Sequence, residues 1–293
     1  MVDDEIPPHN SDSRPCIVQH AAADGYSFAA RVWRVTNPVG QAVLLHGIIS
    51  HSGWYGPTCA ALAQAGWEVH FLDRRGSGLN SKARGDVDNY HTWISDVVQY
   101  MDSMTPVRPR LLIGISWGGK LATALARRHA HLLDGLGLIS PGLFALRGVN
   151  RWQRLALRLV SRTPLRAVRV TIPLEEPALF TASSQWQQFI RTDPLVLRRV
   201  TVRFAWADQM LTRDAIGSSL ELRCPTLLAL AGQDRIIDTD RVRAFTQSAA
   251  QAGLTRFEYK QATHTFEFDP VQFAYTRDLL QWARGVHTAR PIG

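Results

Sequence analysis

Cysteine is scarce in this sequence, and the few cysteines follow no recognisable pattern. The chain of 293 residues has three, Cys16, Cys59 and Cys224, an odd number spread far along the chain. They predict neither a disulfide framework nor a zinc site, because both need cysteines at characteristic spacings. We therefore expect no metal site and a reducing compartment such as the cytoplasm.

Long apolar runs are also missing. Charged residues or glycines interrupt every apolar stretch before it reaches the length of about eighteen residues that a membrane-spanning helix needs. The first fifteen residues, MVDDEIPPHNSDSRP, are acidic and lack the basic and apolar regions of a secretion signal. We expect a soluble cytoplasmic protein with a loose leader over residues 1–15.

Charge is unevenly distributed along the chain. Lysine and arginine number 33 against 25 aspartates and glutamates, which gives a net charge of +8. Residues 144–217 hold twelve arginines against five acidic residues, a surplus of seven. Such a segment suits nucleic acid, an anionic membrane surface or acidic substrates, but no recognised nucleic-acid-binding module accompanies it. We therefore expect no nucleic-acid partner.

Short apolar runs alternate with segments of helical period, and this alternation predicts an α/β fold. Near-continuous apolar strands separated by helices indicate a mostly parallel sheet with helices on both faces. The alternation stops after Pro141 and resumes at "CPTLLALAG" from residue 224. We therefore predict a core made of residues 16–143 and 218–293, with residues 144–217 inserted as a helical cap.

The stretch "GISWGG" places a serine, Ser116, where a strand ends and a helix begins. The G-x-S-x-G pattern after a strand is typical of a sharp turn that lifts a nucleophilic serine above the sheet. A serine hydroxyl needs a base to remove its proton and fixed N–H donors for the oxyanion that develops. We predict Ser116 as the nucleophile of a catalytic triad.

The partners of such a serine follow it in the order acid, then histidine, each after a later strand. Asp234 follows the strand at Thr226, and His264 follows the strand at Phe257. We predict that His264 is the general base and that Asp234 orients its ring. Asp238 is the rival acid, but its position before a helical stretch favours a role as the helix cap.

The loop "LLHGIISHSGWY" follows another strand, so its backbone is expected at the same edge of the sheet. The backbone N–H groups of Ile48 and Trp117 are the predicted oxyanion hole. His46 and His51 lack the carboxylate or cysteine cluster that a metal site needs, so we predict structural roles for both and no bound metal.

These motifs together resemble the α/β-hydrolase fold, and within it the monoacylglycerol lipase and lysophospholipase group related to the serine aminopeptidases. The resemblance spans nearly the whole chain and rests on these stretches: "HGIISHSGWY", "LDRRGSGLNS", "GISWGG", "TIPLEEPALF", "IRTDPLVLRRVT", "AGQDRIID" and "THTFEF". It implies that Ser116, Asp234 and His264 form the triad, that Ile48 and Trp117 are the oxyanion donors, and that no cofactor is needed. It also implies that Asp73 and Gly76 shape their loop.

The sequence departs from the family at two places. Ile49 and Ser50 stand where the family commonly has glycine and glutamate, and Thr265 and Phe266 follow the predicted catalytic histidine, where an acidic residue and leucine are common. These changes leave the chemistry intact and put the substrate in doubt.

A basic amphipathic helix is predicted at the start of the cap. Five arginines fall on one face and five apolar residues on the other: Arg147, Arg151, Arg154, Arg158 and Arg162 opposite Val149, Trp152, Ala156, Leu159 and Val160. The interpretation we favour is that the apolar face packs on the cap while the arginines are solvated. The alternative is contact with an anionic membrane. Further along, four residues are candidates for an acyl pocket: Trp186, Phe189, Trp206 and Met210.

The leading functional hypothesis is a serine hydrolase that forms an acyl-enzyme with a small lipid-like carboxylic ester, such as a monoacylglycerol or lysophospholipid. A prolyl-type aminopeptidase is an alternative, although the positive cap opposes a substrate ammonium unless Glu175 and Glu176 supply carboxylates locally. A thioesterase would use the same triad. A hydrolase fold that binds a ligand without turnover is the non-enzymatic alternative.

Overall fold

The computed structural model describes residues 14–146, 148–217 and 221–288. Within these ranges the chain forms ten strands and eight α-helices. The strands are β1 (Cys16–Ala21), β2 (Ser27–Trp33), β3 (Gly40–Leu45), β4 (Trp67–Leu72), β5 (Arg110–Ile115), β6 (Gly135–Ile139), β7 (Arg169–Thr171), β8 (Arg199–Thr201), β9 (Thr226–Ala231) and β10 (Leu254–Tyr259). The helices are α1 (Gly56–Gln64), α2 (Tyr90–Ser103), α3 (Trp117–Arg128), α4 (Arg151–Val160), α5 (Ser184–Thr192), α6 (Val202–Ala215), α7 (Thr239–Ala249) and α8 (Gln272–Thr288).

One eight-stranded sheet forms the centre of the molecule, in the order β1-β2-β4-β3-β5-β6-β9-β10. The pairs β1–β2 and β2–β4 are antiparallel, and the other pairs of this sheet are parallel. Strands β3, β5, β6 and β9 are buried along their whole length, because helices cover both faces. The predicted α/β-hydrolase fold is confirmed.

The register of the parallel strands brings their carboxyl ends to one edge. Leu45 at the end of β3 pairs with Gly114 of β5, and Ile115 pairs with Ile139 at the end of β6. On the other side of the sheet, the last residues of β9 and β10 pair with each other. The loops that carry the predicted site residues therefore all leave the sheet at this edge.

Large aromatic side chains fill much of the core on either side of the sheet. Trp33, Trp67, Trp93, Phe28 and Phe71 are among the largest fully buried side chains. Truncating a side chain of this kind to alanine typically costs about 3–5 kcal/mol, because the transfer term and the remaining cavity add together. This core fixes the strands, and the strands fix the positions of the loops at the carboxyl edge.

Residues 144–217, apart from residue 147, contain helices α4 to α6 and the small antiparallel pair β7–β8. Backbone hydrogen bonds connect this segment to the loops at the sheet edge, among them those from Leu197 N to Ile49 O at 3.0 Å and from Thr265 N to Phe180 O at 3.0 Å. An ion pair between Arg203 and Asp86 adds a further connection. We propose, as the sequence suggested, that the segment is a cap on the core.

Helix α4 differs from the interpretation we favoured. Its Asn150 cap and Gln153 form a capping box, so the helix begins as its sequence dictates. However, no residue of α4 is buried, and Trp152, Leu155 and Leu159 are 65%, 45% and 57% exposed. The expectation that the apolar face packs on the cap is therefore wrong for Trp152, Ala156 and Leu159, whereas Val149 and Val160 are partly buried. Arg147 of the predicted basic face lies outside the described residues.

Candidate active site

Ser116 occupies a strained turn between β5 and α3. Its backbone angles are φ 52° and ψ −119°, a region that residues other than glycine seldom occupy. The turn is held by a bond from Ser116 N to Ile139 O at 2.9 Å. The Ser116 carbonyl accepts from Gly119 N at 2.9 Å and Gly142 N at 2.7 Å. These bonds supply the stabilisation that such a strained residue requires.

The glycines on either side of Ser116 are needed for close packing. A Cβ atom on Gly118 would lie 2.1 Å from the Leu45 carbonyl oxygen, and one on Gly114 would lie 2.5 Å from the Gly118 oxygen. Neither position has room for a side chain. The G-x-S-x-G pattern therefore reflects contact between the start of α3 and the neighbouring strand.

The structure brings the three predicted triad residues together. His264 Nε2 lies 2.8 Å from Ser116 Oγ, and His264 Nδ1 lies 2.7 Å from Asp234 Oδ2. The side chains of His264 and Asp234 are 2% and 0% exposed. Asp234 Oδ1 accepts from two backbone N–H groups, Ile236 at 2.8 Å and Ile237 at 3.0 Å. Because a carboxylate only accepts, Nδ1 carries the proton and Nε2 is left to accept from the serine hydroxyl.

Asp238, the rival acid, caps a helix as predicted. Its side chain accepts from Arg241 N at 3.0 Å at the start of α7. It is not bonded to His264.

The two residues predicted as oxyanion donors line the same cavity as Ser116. Ile48, Ser116 and Trp117 line one cavity. Within the described ranges, the N–H groups of Ile48 and Trp117 donate to no protein acceptor. Both are therefore available to a ligand, and their role as oxyanion donors stays a prediction.

The peptide group that carries the Ile48 N–H is held from its opposite side. Its carbonyl, Gly47 O, accepts from His46 Nδ1 at 2.7 Å and from Arg74 Nη1 at 3.3 Å. The next carbonyl, Ile48 O, accepts from Arg74 Nη2 at 3.0 Å. Because a trans peptide is planar, fixing the direction of the carbonyl also fixes the direction of its N–H. Bonds to the carbonyl also polarise the peptide and strengthen the N–H as a donor.

Arg74 is a functional candidate that the sequence did not reveal. Its side chain is buried and lies over the Trp117 ring, with 4.4 Å between its guanidinium carbon and the ring centroid. Burial lowers the pKa of Arg74 to about 9, so the group remains charged at pH 7. The motif "DRRGSG" predicted roles only for Asp73 and Gly76. The available signal was the charge itself, since a charged side chain directly after a buried strand needs a reason to be there.

Asp73 and Gly76 shape their loop as the resemblance implied. Asp73 accepts from Ser52 N at 2.7 Å and from Leu79 N at 2.8 Å. Gly76 has φ 70°, which favours glycine.

His46 and His51 have structural surroundings. Burial lowers the pKa of His46 to about 3, so its ring is neutral and its Nε2 accepts from Arg74 N at 3.0 Å. His51 Nε2 lies 2.9 Å from Asp193 Oδ2. Burial opposes ionisation of Asp193, but hydrogen bonds from His51 and Trp54 outweigh it and lower the pKa of Asp193 to about 2. No group of three or more metal-ligating side chains occurs in the residues that the structure describes.

The cavity beside Ser116 has a volume of about 580 Å³. Most of its lining is apolar and comes from the proposed cap, including Leu157, Ile172, Leu174 and Phe204. The volume lies within the range of about 300–1,000 Å³ found for small-molecule sites.

The four residues proposed from sequence for an acyl pocket do not line this cavity. Trp186 stacks on Phe268 with 4.4 Å between ring centroids, and Phe189 packs against the same ring. Trp206 and Met210 lie on α6, whose residues Phe204 and Asp208 line the cavity instead.

The lining also contains an ion pair. Lys120 Nζ lies 2.6 Å from Asp208 Oδ1, which also accepts from Trp117 Nε1 at 2.7 Å. Asp208 thus connects α6 to the start of α3, immediately after Ser116.

The fold and the three joined side chains define an α/β-hydrolase with a serine at its strand-to-helix turn. The model of the family described as "Serine aminopeptidase, S33" matches residues 36–271, and the chain belongs to this family.

Relatives of known name cover most of the chain. The chain is 26% identical over 250 residues to monoglyceride lipase of Homo sapiens, and the aligned region covers 83% of this chain and 81% of that protein. It is 24% identical over 246 residues to phospholipase YtpA of Bacillus subtilis, covering 81% of this chain and 92% of that protein. A crystal structure of a soluble variant of monoglyceride lipase from Saccharomyces cerevisiae has a TM-score of 0.79 at 18% identity, covering 93% of this chain and 96% of that chain. This last likeness concerns the fold alone.

Within the described ranges, no helix combines the length and apolarity that crossing a bilayer requires.

Proposed function

We propose that the protein is a serine carboxylester hydrolase that cleaves lipid-like esters through an acyl-enzyme intermediate. The single observation that carries the proposal is the position of His264, within hydrogen-bond distance of both Ser116 and Asp234. The relatives named as monoglyceride lipase and phospholipase support lipid esters as the substrate class.

The first half of the reaction transfers the acyl group to the enzyme. Ser116 Oγ attacks the carbonyl carbon of the ester while His264 Nε2 takes the hydroxyl proton. The oxyanion accepts from the N–H groups of Ile48 and Trp117. His264 then gives its proton to the leaving alcohol oxygen as the C–O bond breaks. Asp234 keeps the ring in the required tautomer and stabilises its charged form.

The second half releases the acid. Water gives a proton to His264 and attacks the acyl carbon, and the oxyanion forms again in the same site. Ser116 leaves with the proton from His264, and the carboxylic acid is set free. No cofactor takes part in either half.

A substrate panel tests the proposal. We expect the wild-type protein to hydrolyse p-nitrophenyl esters of short and medium acyl chains, together with a monoacylglycerol, and to react with a fluorophosphonate probe. Ser116→Ala should lose both turnover and labelling, because it lacks the nucleophile. Ser248→Ala, at an exposed serine on α7, is the matched control. Equal labelling of Ser116→Ala and wild type would contradict the proposal.

An aminopeptidase activity is less well supported by the cavity. A substrate ammonium needs carboxylates near the site, and Glu175 and Glu176 do not line the cavity, whereas Arg154, Arg235 and Arg241 do. Turnover of aminoacyl naphthylamides above that of esters would reverse this conclusion.

We also propose peripheral contact with an anionic membrane, which the exposed apolar side chains of the proposed cap support. Exposed large apolar side chains of this segment include Trp152, Leu155 and Leu159 of α4, with Leu165 and Val168 after it. Arg158 and Arg162 are exposed in the same stretch of chain, and their charge suits anionic headgroups. We expect co-sedimentation with vesicles of phosphatidylglycerol and phosphatidylcholine to exceed that with pure phosphatidylcholine. Equal sedimentation would contradict a role for the arginines.

A further inference from the structure

We infer that the cavity beside Ser116 has a subsite for phosphate, so that the preferred ester carries a phosphate group as well as an acyl chain. The inference rests on the proposed function and specifies the substrate of the same site. Its basis is the set of charged side chains that the fold gathers around the cavity.

Three arginines from separate elements line the cavity that contains Ser116. Arg154 belongs to α4, Arg235 to the loop after β9 and Arg241 to α7. In the described part of the chain, none of their guanidinium groups makes an ion pair or hydrogen bond with a carboxylate. Arg241 lies over the Phe144 ring, 4.4 Å from its centroid, and that contact leaves its N–H donors unused. Three guanidinium groups therefore remain available to a ligand.

Other arginines of the molecule behave differently. Arg75 pairs with Asp24 and Asp96, and Arg243 pairs with Asp240 and Glu258. Arg74, Arg84 and Arg110 instead donate to backbone or amide oxygens. Among the described residues, the side chains of the three lining arginines have neither kind of partner.

Three carboxylates in the lining or in the loops beside it are already engaged. Asp208 is the one carboxylate among the described lining residues, and it accepts from both Lys120 and Trp117. Asp234 accepts from His264, and Asp238 caps α7. The lining therefore holds four cationic side chains against one carboxylate.

A positive, largely apolar cavity favours a ligand with both an anionic and an apolar part. The three arginines are exposed, and their positive charge beside the cavity raises the local concentration of anions. The planar fork of arginine matches phosphate oxygens and gives strong charge-assisted hydrogen bonds. A neutral monoacylglycerol fills the apolar part but gains nothing from the arginines. An acyl ester of a glycerol phosphate uses both.

The test compares substrates of equal acyl chain, below their aggregation concentrations, so that binding to a membrane surface does not contribute. We expect kcat/KM for an acyl glycerophosphate to exceed that for the matching monoacylglycerol by about tenfold, the effect of a difference of about 1.4 kcal/mol. The ratio of the two values should fall at least about fivefold in the double variant Arg235→Gln/Arg241→Gln and should be partly restored by lysine at both positions. It should also decrease with added salt, which screens exposed charges.

Arg213→Gln is the matched control, because Arg213 is an exposed arginine of α6 that does not line the cavity. It removes the same charge and should leave the ratio at the wild-type value. An equal ratio in wild type and the double variant, or an equal fall in Arg213→Gln, would overturn the inference.

Inhibition by inorganic phosphate distinguishes free phosphate from a lipid headgroup as the source of the anion. Inhibition of monoacylglycerol hydrolysis by inorganic phosphate alone, lost in the double variant, would indicate a subsite for free phosphate. A preference for the phosphorylated ester without such inhibition would indicate a headgroup subsite. If neither effect occurs while neutral esters are still cleaved, the subsite is rejected and the proposed function stands. If no ester of any kind is cleaved, the proposed function itself fails.

Discussion

The turn at Ser116 and helix α4 show opposite relations between polarity and burial. Around Ser116, polar groups are buried, and His264, Asp234 and Arg74 each have hydrogen-bond partners. In α4, apolar side chains are exposed, with Trp152 at 65%. A buried polar group without a partner costs about 1–3 kcal/mol, so the stability of the region around Ser116 depends on these hydrogen bonds. Burying exposed apolar surface releases about 25 cal/mol per Å², so a partner that covers the apolar side chains of α4 would gain this free energy.

The contrast indicates where function depends on internal contacts and where it depends on external ones. Changes near Ser116 should alter activity or stability strongly. Changes on the exposed side of α4 should affect the isolated protein little.

The largest effect is expected from Asp234→Asn. The amide would favour the wrong tautomer of His264, and kcat should fall by about 10⁴. Turnover of a p-nitrophenyl ester measures the loss, and circular dichroism checks the fold. Asp238→Asn is the matched control and should retain kcat within about twofold, because asparagine also caps helices well. A loss in the control instead would assign the acid to Asp238.

Gly118→Ala should destabilise the fold severely. The added Cβ would meet the Leu45 oxygen at 2.1 Å, and backbone must move to relieve the contact. We expect a loss of about 3 kcal/mol or more in urea unfolding. Gly285→Ala is the control, since a Cβ there meets nothing within 4 Å in helix α8. It should stabilise the protein by about 0.5–1 kcal/mol, and similar losses in both variants would contradict the packing explanation.

Glu267 should make stability dependent on pH. It follows His264 in the same loop and accepts from Thr58 N at 3.0 Å. Burial raises the pKa of Glu267 to about 7, above the unfolded value near 4.5. The folded protein therefore retains a proton that the unfolded chain releases, and the stabilisation present below pH 4.5 is lost as pH rises through 7.

Relative to Glu267→Gln, the wild-type free energy of unfolding should fall by up to about 3 kcal/mol between pH 4.5 and 8. Urea unfolding at several pH values measures this difference. The difference between wild type and Glu258→Gln, which removes a surface carboxylate and keeps Glu267, should show no such fall. A constant difference between wild type and Glu267→Gln would exclude a raised pKa.

Arg74→Met should lower kcat more than it changes KM. The variant keeps much of the buried volume but removes two donors to the Gly47 and Ile48 carbonyls. Because the oxyanion exists only along the reaction path, we expect kcat to fall about a hundredfold with KM within about threefold. Arg74→Lys should be intermediate, and Arg34→Met, at an exposed arginine, should match wild type. Proportional changes in KM alone would contradict a role in positioning the oxyanion loop.

The smallest effect on stability is expected from Trp152→Ser combined with Leu159→Ser. Both side chains are more than half exposed, so the free energy of unfolding should change by less than about 0.5 kcal/mol. Leu157→Ser on the same helix should cost more, since Leu157 is partly buried and lines the cavity. Thermal unfolding of the three proteins gives the comparison. A large loss in the first variant would mean that the exposed face packs on the molecule after all.

The sequence alone determined the features that depend on local pattern. Apolar runs fixed the strands, and their order placed Ser116, Asp234 and His264 after strands whose carboxyl ends meet. The glycines around Ser116 signalled the sharp turn, and the position of Asp238 signalled a helix cap. Each depends on backbone geometry over a few residues, or on the rule that parallel strands end at one edge.

Only the tertiary structure decided which side chains meet across the fold. The helical period of α4 was evident from the sequence, but not that Trp152 and Leu159 of its apolar face would be exposed. Arg74 contacts the loop of Ile48, which is distant in the sequence. The arginines around the cavity likewise come from distant parts of the chain. Periodicity states that a face is apolar or charged, whereas burial and pairing depend on the neighbour that the fold brings against it.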